Sequence, residues 1–134
     1  MKLTFRSEYA LLALVYLARF SEEAFISVDT IAQAQNIPPK FLEQILLVLK
    51  RSKYLRSTKG QRGGYCLAKP AENISLAEII RLFDGALAPT ESVSENFYEP
   101  TPIEREKGLV QVFKEIRDHI SDMLESTSIA ELAD

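Results

Sequence analysis

The 134-residue chain has one cysteine, one histidine and no apolar run near the ~18 residues that a membrane span needs. Each scarcity excludes something. With Cys66 alone there is no intramolecular disulfide and no all-cysteine zinc or iron–sulfur site within one chain. His119 has no cysteine or histidine three or four residues away, so no metal site is expected and the residue reads as an exposed helix position off the main apolar stripe. The opening MKLTFRSEYALLALVYLARF joins a short basic end to an apolar stretch, but Arg6 and Glu8 intrude and no small-residue cleavage site follows. It reads poorly as a secretory signal, and the expected compartment is the cytoplasm, with no membrane partner. There is no paired-carboxylate site, no nucleophile-and-base motif and no cofactor loop, so no enzymatic function is expected.

What is present is an ordinary globular composition, 46% apolar and 26% charged, enough for one domain or one domain plus an appended helix. The net charge of −3 is unevenly spread. Residues 40–69 hold eight basic side chains against Glu43 alone, a balance of +7, whereas residues 70–134 hold five basic and fourteen acidic ones. A basic middle in an acidic chain points to a local anionic partner, nucleic acid foremost; a solvated lysine-rich surface is the other reading.

The pattern of residues predicts mostly helix. Residues 5–20 are apolar nearly all round, as in a buried first helix. A polar break over Ser21–Phe25 follows, then Ser27 as the cap of a short helix over 28–35. Asn36 suits a left-handed helix end, and Pro38-Pro39 suits the first turn of the next helix, 39–52. That helix carries Phe41, Leu42, Ile45, Leu46, Val48 and Leu49 on one side, with Lys40, Glu43, Gln44, Leu47, Lys50 and Arg51 largely on the other. Two such helices joined by a short turn make a helix-turn-helix, a pattern any small bundle can mimic.

The next segment separates the two. Tyr54–Thr58 alternates as a strand, Lys59–Gly64 is a glycine-rich turn and Tyr65–Ala68 is a returning strand, with Tyr65 and Leu67 inward and Cys66 outward. A basic hairpin directly after a helix-turn-helix is a wing. Glycines 60, 63 and 64 are expected to supply positive φ and a close approach to phosphate. The turn fits neither Walker nor Rossmann spacing.

Ile74-Ser75-Leu76-Ala77-Glu78-Ile79 reads as a capping box with a hydrophobic staple, opening a fourth helix that ends near Asp84-Gly85. Residues 86–100 are expected as a loop. Thr101-Pro102-Ile103-Glu104 is a second capping box, opening a helix to about 126, which Gly108 could fray or bend. A helix of ~25 residues would run ~37 Å, long for so small a domain. Its stripe of Leu109, Val112, Phe113, Ile116, Ile120, Met123 and Leu124 is therefore expected to form a homodimer seam; folding back on its own core is the alternative. Ser128 with Glu131 would cap a last turn.

MKLTFRSEYALLAL, IAQAQNIPPKFLEQIL, KGQRGGYCLAKP and ISLAEIIRLFDG, taken in this order, resemble the Rrf2 family of winged-helix regulators, the IscR, NsrR and CymR type, over nearly the whole chain. The resemblance implies a mainly α fold: a winged helix-turn-helix over 1–85 with a two-stranded wing, a loop over 86–100 and a long C-terminal dimerisation helix with a final turn over 101–134. It implies a cytoplasmic bacterial transcription regulator, dimeric, that binds double-stranded, near-palindromic DNA. It places Pro39, Lys40, Phe41, Glu43 and Gln44 at the start of the recognition helix, in the major groove. There glutamine can bond adenine and glutamate can accept from a cytosine amine; a helix-stabilising surface around Glu43–Arg51 or Lys40–Gln44 is the competing reading. Lys59 and Arg62 resemble the family's minor-groove reader at the wing tip, with lysine lacking the planar fork of the arginine often found at 59. Lys50, Arg51, Lys53 and Arg56 would position the protein on phosphates, and Lys2 and Thr4 would touch the backbone too.

The departures from the family are as informative. Cluster-binding members place three cysteines in the loop before the long helix; here Ser92, Ser94, Tyr98 and Glu104 occupy the region. Such side chains do not hold an iron–sulfur cluster as thiolates do, so a member without a cofactor is expected. Glu8 stands where some members use an acidic cluster ligand, and here is expected as a first-turn acid favourable to the helix dipole. Cys66, read as outward and close to Lys59 and Arg62, is a redox candidate, with inert strand filler as the alternative. The signal would be a regulatory protein, a small-molecule effector in the dimer or the 86–104 region, or nothing. A winged-helix adaptor acting through protein–protein contacts is the second function class, and a charge of +7 confined to recognition helix and wing argues against it.

Overall fold

The computed structural model describes residues 1–20 and 23–134, so Ser21 and Glu22 of the expected polar break lie outside the described residues. Eight regular elements follow one another: α1 Phe5–Leu17, α2 Val28–Gln35, α3 Pro39–Arg51, β1 Leu55–Thr58, β2 Gly64–Leu67, α4 Leu76–Asp84, α5 Lys107–Ser126 and α6 Ile129–Leu132. The fold is the expected mainly helical winged helix with one two-stranded antiparallel sheet.

The caps read from the sequence set most of the boundaries. Ser27 accepts from the Thr30 N–H at 3.1 Å, and Asn36 sits left-handed at φ 54°, ψ 50°. Pro39 occupies the first turn of α3. Ser75 and Glu78 close the capping box of α4, with Glu78 accepting from the Ser75 N–H at 2.8 Å. The core joins α1, α2 and α3 to the wing base and α4 through Leu14, Ile31, Leu42, Ile45, Leu46, Leu49, Leu55, Ile74 and Ile79, all nearly fully buried. Small Ala10 and Ala13 let the neighbouring helices approach α1 closely. Ile129, after the long helix, is wholly buried in the same core. Its N–H donates to the Ile74 carbonyl at 2.8 Å and the Leu76 N–H donates to Thr127 at 3.0 Å, so the C-terminal turn is stitched back onto the start of α4. Burial of such a side chain contributes about 2 kcal/mol.

Four expectations change. The second capping box forms, but it opens a 3₁₀ turn over Pro102–Arg105 that ends at an extended Glu106, and α5 starts only at Lys107. The long helix is thus 20 residues rather than about 25. Of the wing glycines only Gly60 has positive φ, 103°. Gly63 and Gly64 are needed for space: a Cβ on Gly63 would lie 2.5 Å from the Thr58 carbonyl oxygen, and one on Gly64 would strike the Ile26 carbonyl and lie 2.8 Å from the Ser27 nitrogen.

The third change is Cys66, which is 2% exposed rather than outward. In the hairpin Arg56 stands opposite Cys66. A third segment pairs with it: Ile26 and Tyr65 exchange backbone hydrogen bonds of 2.9 and 2.8 Å. That register sets Phe25 beside Cys66, and the Arg56 guanidinium lies 5.3 Å from the Phe25 ring centre. The outer face of β2 is therefore roofed, and the thiol is covered from solvent instead of facing Lys59 and Arg62. The fourth change concerns α5, whose apolar stripe is half-buried along one edge within its own chain.

Candidate nucleic-acid interface

The outer side of α3 and the wing that follows it both carry exposed cations. Leu42, Ile45, Leu46 and Leu49 turn inward, which leaves Lys40, Phe41, Glu43, Gln44, Lys50 and Arg51 exposed, with Pro39 exposed at the helix start. Lys53, Arg56, Lys59 and Arg62 are exposed along the wing. The cations elsewhere are mixed, and Lys107 and Lys114 of α5 have no acidic partner among the described residues. Lys69, Arg81 and Arg117 are all in ion pairs, with Glu78, Glu125 and Glu95/Asp118 respectively. Among the described residues, Lys40, Lys50, Arg51, Lys53, Lys59 and Arg62 have no acidic partner. Glu43 is not paired with Arg51 either. A surface that leaves six cations uncompensated is set up to meet a polyanion.

The framework holds these side chains rigidly. Phe41 packs edge-on against Tyr9 at 5.5 Å between ring centres, and Tyr9 packs against Phe5 at 5.9 Å, tying the start of α3 to α1. Tyr54, at the wing base, donates to Glu78 at 3.1 Å, while Lys69 lies 5.0 Å over the Tyr54 ring and 3.7 Å from Glu78. Burial, that hydrogen bond and the Glu78 charge push the Tyr54 phenol up to about 12. Burial alone would raise the Glu78 carboxyl; hydrogen bonds from Ser75 and Tyr54 and the charge of Lys69 outweigh it and hold the group below its ordinary value. At the other end of α4, Asp84 accepts from the Thr4 N–H at 3.2 Å, the Thr4 hydroxyl at 2.5 Å and the buried Ser7 hydroxyl at 2.6 Å. The Thr4 hydroxyl is thereby occupied within the fold, whereas Lys2 is exposed.

Two members of this surface were not among the sequence-predicted site residues. Leu47 is 38% exposed between Glu43, Gln44 and Lys50, so an apolar side chain stands in the middle of the polar face of α3. Tyr9 is the support of Phe41, and only the tertiary packing reveals it. Leu47 had a signal, its place among the outward residues; Tyr9 had none.

A second surface is apolar. No residue of α5 is buried. Leu109, Val112, Ile116 and Met123 are 47%, 51%, 41% and 59% exposed, spaced three and four apart on one face. His119 lies on that face, between Ile116 and Met123, not off the stripe. Phe113, Ile120 and Leu124 are half-buried along the adjoining edge of the same face with Arg117, whose guanidinium donates to the Val93 carbonyl at 2.9 Å. The single stripe expected from the sequence is present, but its two edges differ: one lies against the chain's own loop and α4, and the other is left uncovered.

The loop between α4 and α5 closes on hydroxyls. Ser92 and Ser94 are buried; the Thr101 N–H donates to the Ser92 hydroxyl at 2.9 Å, the hydroxyls of Ser92 and Thr101 are in hydrogen-bond contact, and the Phe97 N–H donates to Ser94 at 2.9 Å. The Tyr98 hydroxyl donates to Glu104 at 2.6 Å, which pushes its phenol up.

A family profile described as "Rrf2: Iron-dependent Transcriptional regulator" matches residues 3–134. CymR of Bacillus subtilis, an HTH-type transcriptional regulator, is 30% identical over 133 residues, covering 99% of this chain and 90% of that one. The solved structure of B. subtilis CymR, described as that organism's global cysteine regulator, superposes with a TM-score of 0.79 at 29% identity, covering 99% of this chain and 96% of that one. The crystal structure of Staphylococcus aureus CymR gives 0.75 at 33% identity, covering 98% and 97%.

The profile's description names iron, and the donor set of this chain bears on that word. The loop offers hydroxyls already bonded to one another and a phenol bonded to a carboxylate, Cys66 is buried in the wing strand β2, and no group of three or more His, Cys, Asp or Glu among the described residues could hold a metal ion. These side chains do not fit an iron–sulfur cluster. No helix among the described residues is long and apolar enough to cross a membrane. With the profile spanning nearly the whole chain, the relatives named as regulators and the winged helix carrying its uncompensated cations on α3 and the wing, this chain belongs to the Rrf2 family of DNA-binding transcription regulators.

Proposed function

We propose that the protein is a dimeric, sequence-specific regulator without an iron–sulfur cluster, which lays α3 in the major groove and the wing in the minor groove of a near-palindromic operator. The observation that carries this reading is the cluster of six cations without acidic partners on α3 and the wing, in a segment whose only acid is Glu43. Pro39, Lys40, Phe41, Glu43 and Gln44 meet base edges; Lys50, Arg51, Lys53 and Arg56 meet phosphates and fix the register; Lys59 and Arg62 enter the minor groove. The uncovered row Leu109, Val112, Ile116 and Met123 is the centre of the dimer seam, with Phe113 and Ile120 along its half-buried edge. Two copies about a twofold axis would present two basic half-sites to successive major grooves, roughly 34 Å apart. The signal comes from a regulatory protein or a small molecule.

The test is anisotropy of a labelled random duplex at several salt concentrations, with the wild type and a Lys59→Ala/Arg62→Ala variant. Log affinity should fall steeply with log salt for the wild type. The variant's slope should be shallower by about 1.8, at ~0.9 for each phosphate no longer neutralised. Equal slopes would remove the wing from the interface. Salt-insensitive binding, or none at low salt, would overturn the DNA-contact assignments and favour the adaptor reading.

A further inference from the structure

A cavity of about 670 Å³ opens between the end of α4 and the loop that follows it. Small-molecule sites span roughly 300–1,000 Å³. Its charged side chains are acidic: Asp84, Glu91 and Glu99 line it together with Met1, whose α-ammonium is the chain's first group, and no lysine, arginine or histidine does. Asp84 is held by neutral donors, the Thr4 N–H and the hydroxyls of Thr4 and Ser7. The Glu99 N–H donates to the Glu91 carbonyl at 3.3 Å, so two acidic side chains leave the wall at one point. Among the described residues, no cation pairs with any of the three carboxylates.

Two features other than the acids favour the same ligand. The C-terminal end of α4, at Gly85, borders the cavity and adds the negative end of a helix dipole. Phe97 and Tyr98, 47% and 54% exposed, also line it, and ring faces attract cations while covering an apolar body. The loop is already ordered by its own hydroxyl hydrogen bonds, so little ordering cost remains for a ligand.

We propose that this cavity binds a small organic ammonium ion, an amine carried on an aromatic or alkyl body. The assignment names the chemical class of the effector in the regulatory reading above, and only its consequence for DNA rests on that reading. The consequence has two physical routes. Asp84 grips the first turn of α1, where Tyr9 supports Phe41 at the start of α3. The same loop is held to α5 through Val93 and Arg117.

The test is calorimetric titration of the full chain with tyramine, putrescine and agmatine, using N-acetyltyramine and 4-hydroxyphenylacetate as neutral and anionic counterparts of tyramine. At least one amine should bind, and both counterparts should bind at least about tenfold more weakly than tyramine if tyramine is that ligand. Glu91→Gln/Glu99→Gln should weaken amine binding about tenfold or more with the urea midpoint unchanged, both side chains being exposed. Glu72→Gln/Glu131→Gln, on a separate acidic concavity beside α6, should leave it unchanged. Silence of all three amines at millimolar concentration, N-acetyltyramine binding as well as tyramine, or equal loss in the two double variants would overturn the assignment. Anisotropy of the random duplex in the same samples keeps the two readings apart. Salt-dependent DNA binding without amine binding overturns the cavity alone, and amine binding without DNA binding overturns the DNA reading alone.

Discussion

Gly64→Ala isolates the contact that fixes the wing to the body of the protein. The wing is a two-stranded hairpin, and such a hairpin is marginal by itself in water. Here its second strand is paired on the other side by Ile26, through hydrogen bonds of 2.8 and 2.9 Å with Tyr65. A Cβ on Gly64 would drive into the Ile26 carbonyl and stand 2.8 Å from the Ser27 nitrogen, so backbone must move. Overpacking of this kind costs about 1–3 kcal/mol. Loss of the two hydrogen bonds adds about 0.5–1.5 kcal/mol each. The expected destabilisation is about 3 kcal/mol, or about 10 °C in Tm for a chain of this length. Urea denaturation followed by circular dichroism measures it, with Gly60→Ala as the paired control. Gly60 has φ 103° but nothing within 4 Å, so its variant meets conformational strain alone, about 1–2 kcal/mol. A Gly64→Ala cost below ~0.5 kcal/mol, or no larger than that of Gly60→Ala, would refute the claim that the third pairing anchors the wing.

Val112→Glu/Ile116→Glu should convert a dimer to a monomer by light scattering while leaving the helical signal intact, because both residues are exposed within one chain; a variant that stays dimeric moves the seam elsewhere. Ile129→Ala should cost about 3 kcal/mol in urea, since its side chain is fully buried beneath the C-terminal turn; a neutral result would mean that the turn is not packed on α1 and α4. Glu78 has a carboxyl held below its ordinary value of 4.5, so the stability it contributes is complete above that pH and is lost as the pH falls through the lowered folded value. The stability gap between wild type and Glu78→Gln should therefore shrink from pH 6 toward pH 3, and a gap independent of pH would exclude the charge as its source.

Local chemistry made most of the fold legible. Ser27, Asn36, Pro39, the Ser75/Glu78 box and Gly85 each act within one turn of their own position, and each sets the boundary that its residue type predicts. The inward and outward residues of α3 were legible because a helix packed on one side has one apolar face. The errors lie where distant segments meet. Alternation along β2 puts Cys66 outward only if nothing covers the hairpin, and Phe25 with Arg56 does cover it. Thr101-Pro102-Ile103-Glu104 satisfies every local rule for a helix start, yet the turn stops at Glu106 and the chain begins afresh at Lys107. The Asp84 grip on Thr4 and Ser7 spans some eighty residues, and no pattern within either segment announces it.

The same limit explains why the stripe of α5 reads as uniform and folds with two different edges. Leu109, Val112, Ile116 and Met123 lie three, four and seven residues apart, and Phe113, Ile120 and Leu124 continue the same face on its adjoining edge. A sequence window reports one broad apolar surface and cannot tell which edge the chain itself covers. In the structure Leu124 packs against Ala77, Ile80 and Leu87, and Arg117 ties that edge to Val93, while Leu109, Val112, Ile116 and Met123 stay exposed. A stripe covered along one edge by its own α4 and loop leaves the other edge open. In the proposed dimer a second copy of α5 would cover that edge through a self-complementary contact that needs no further partner.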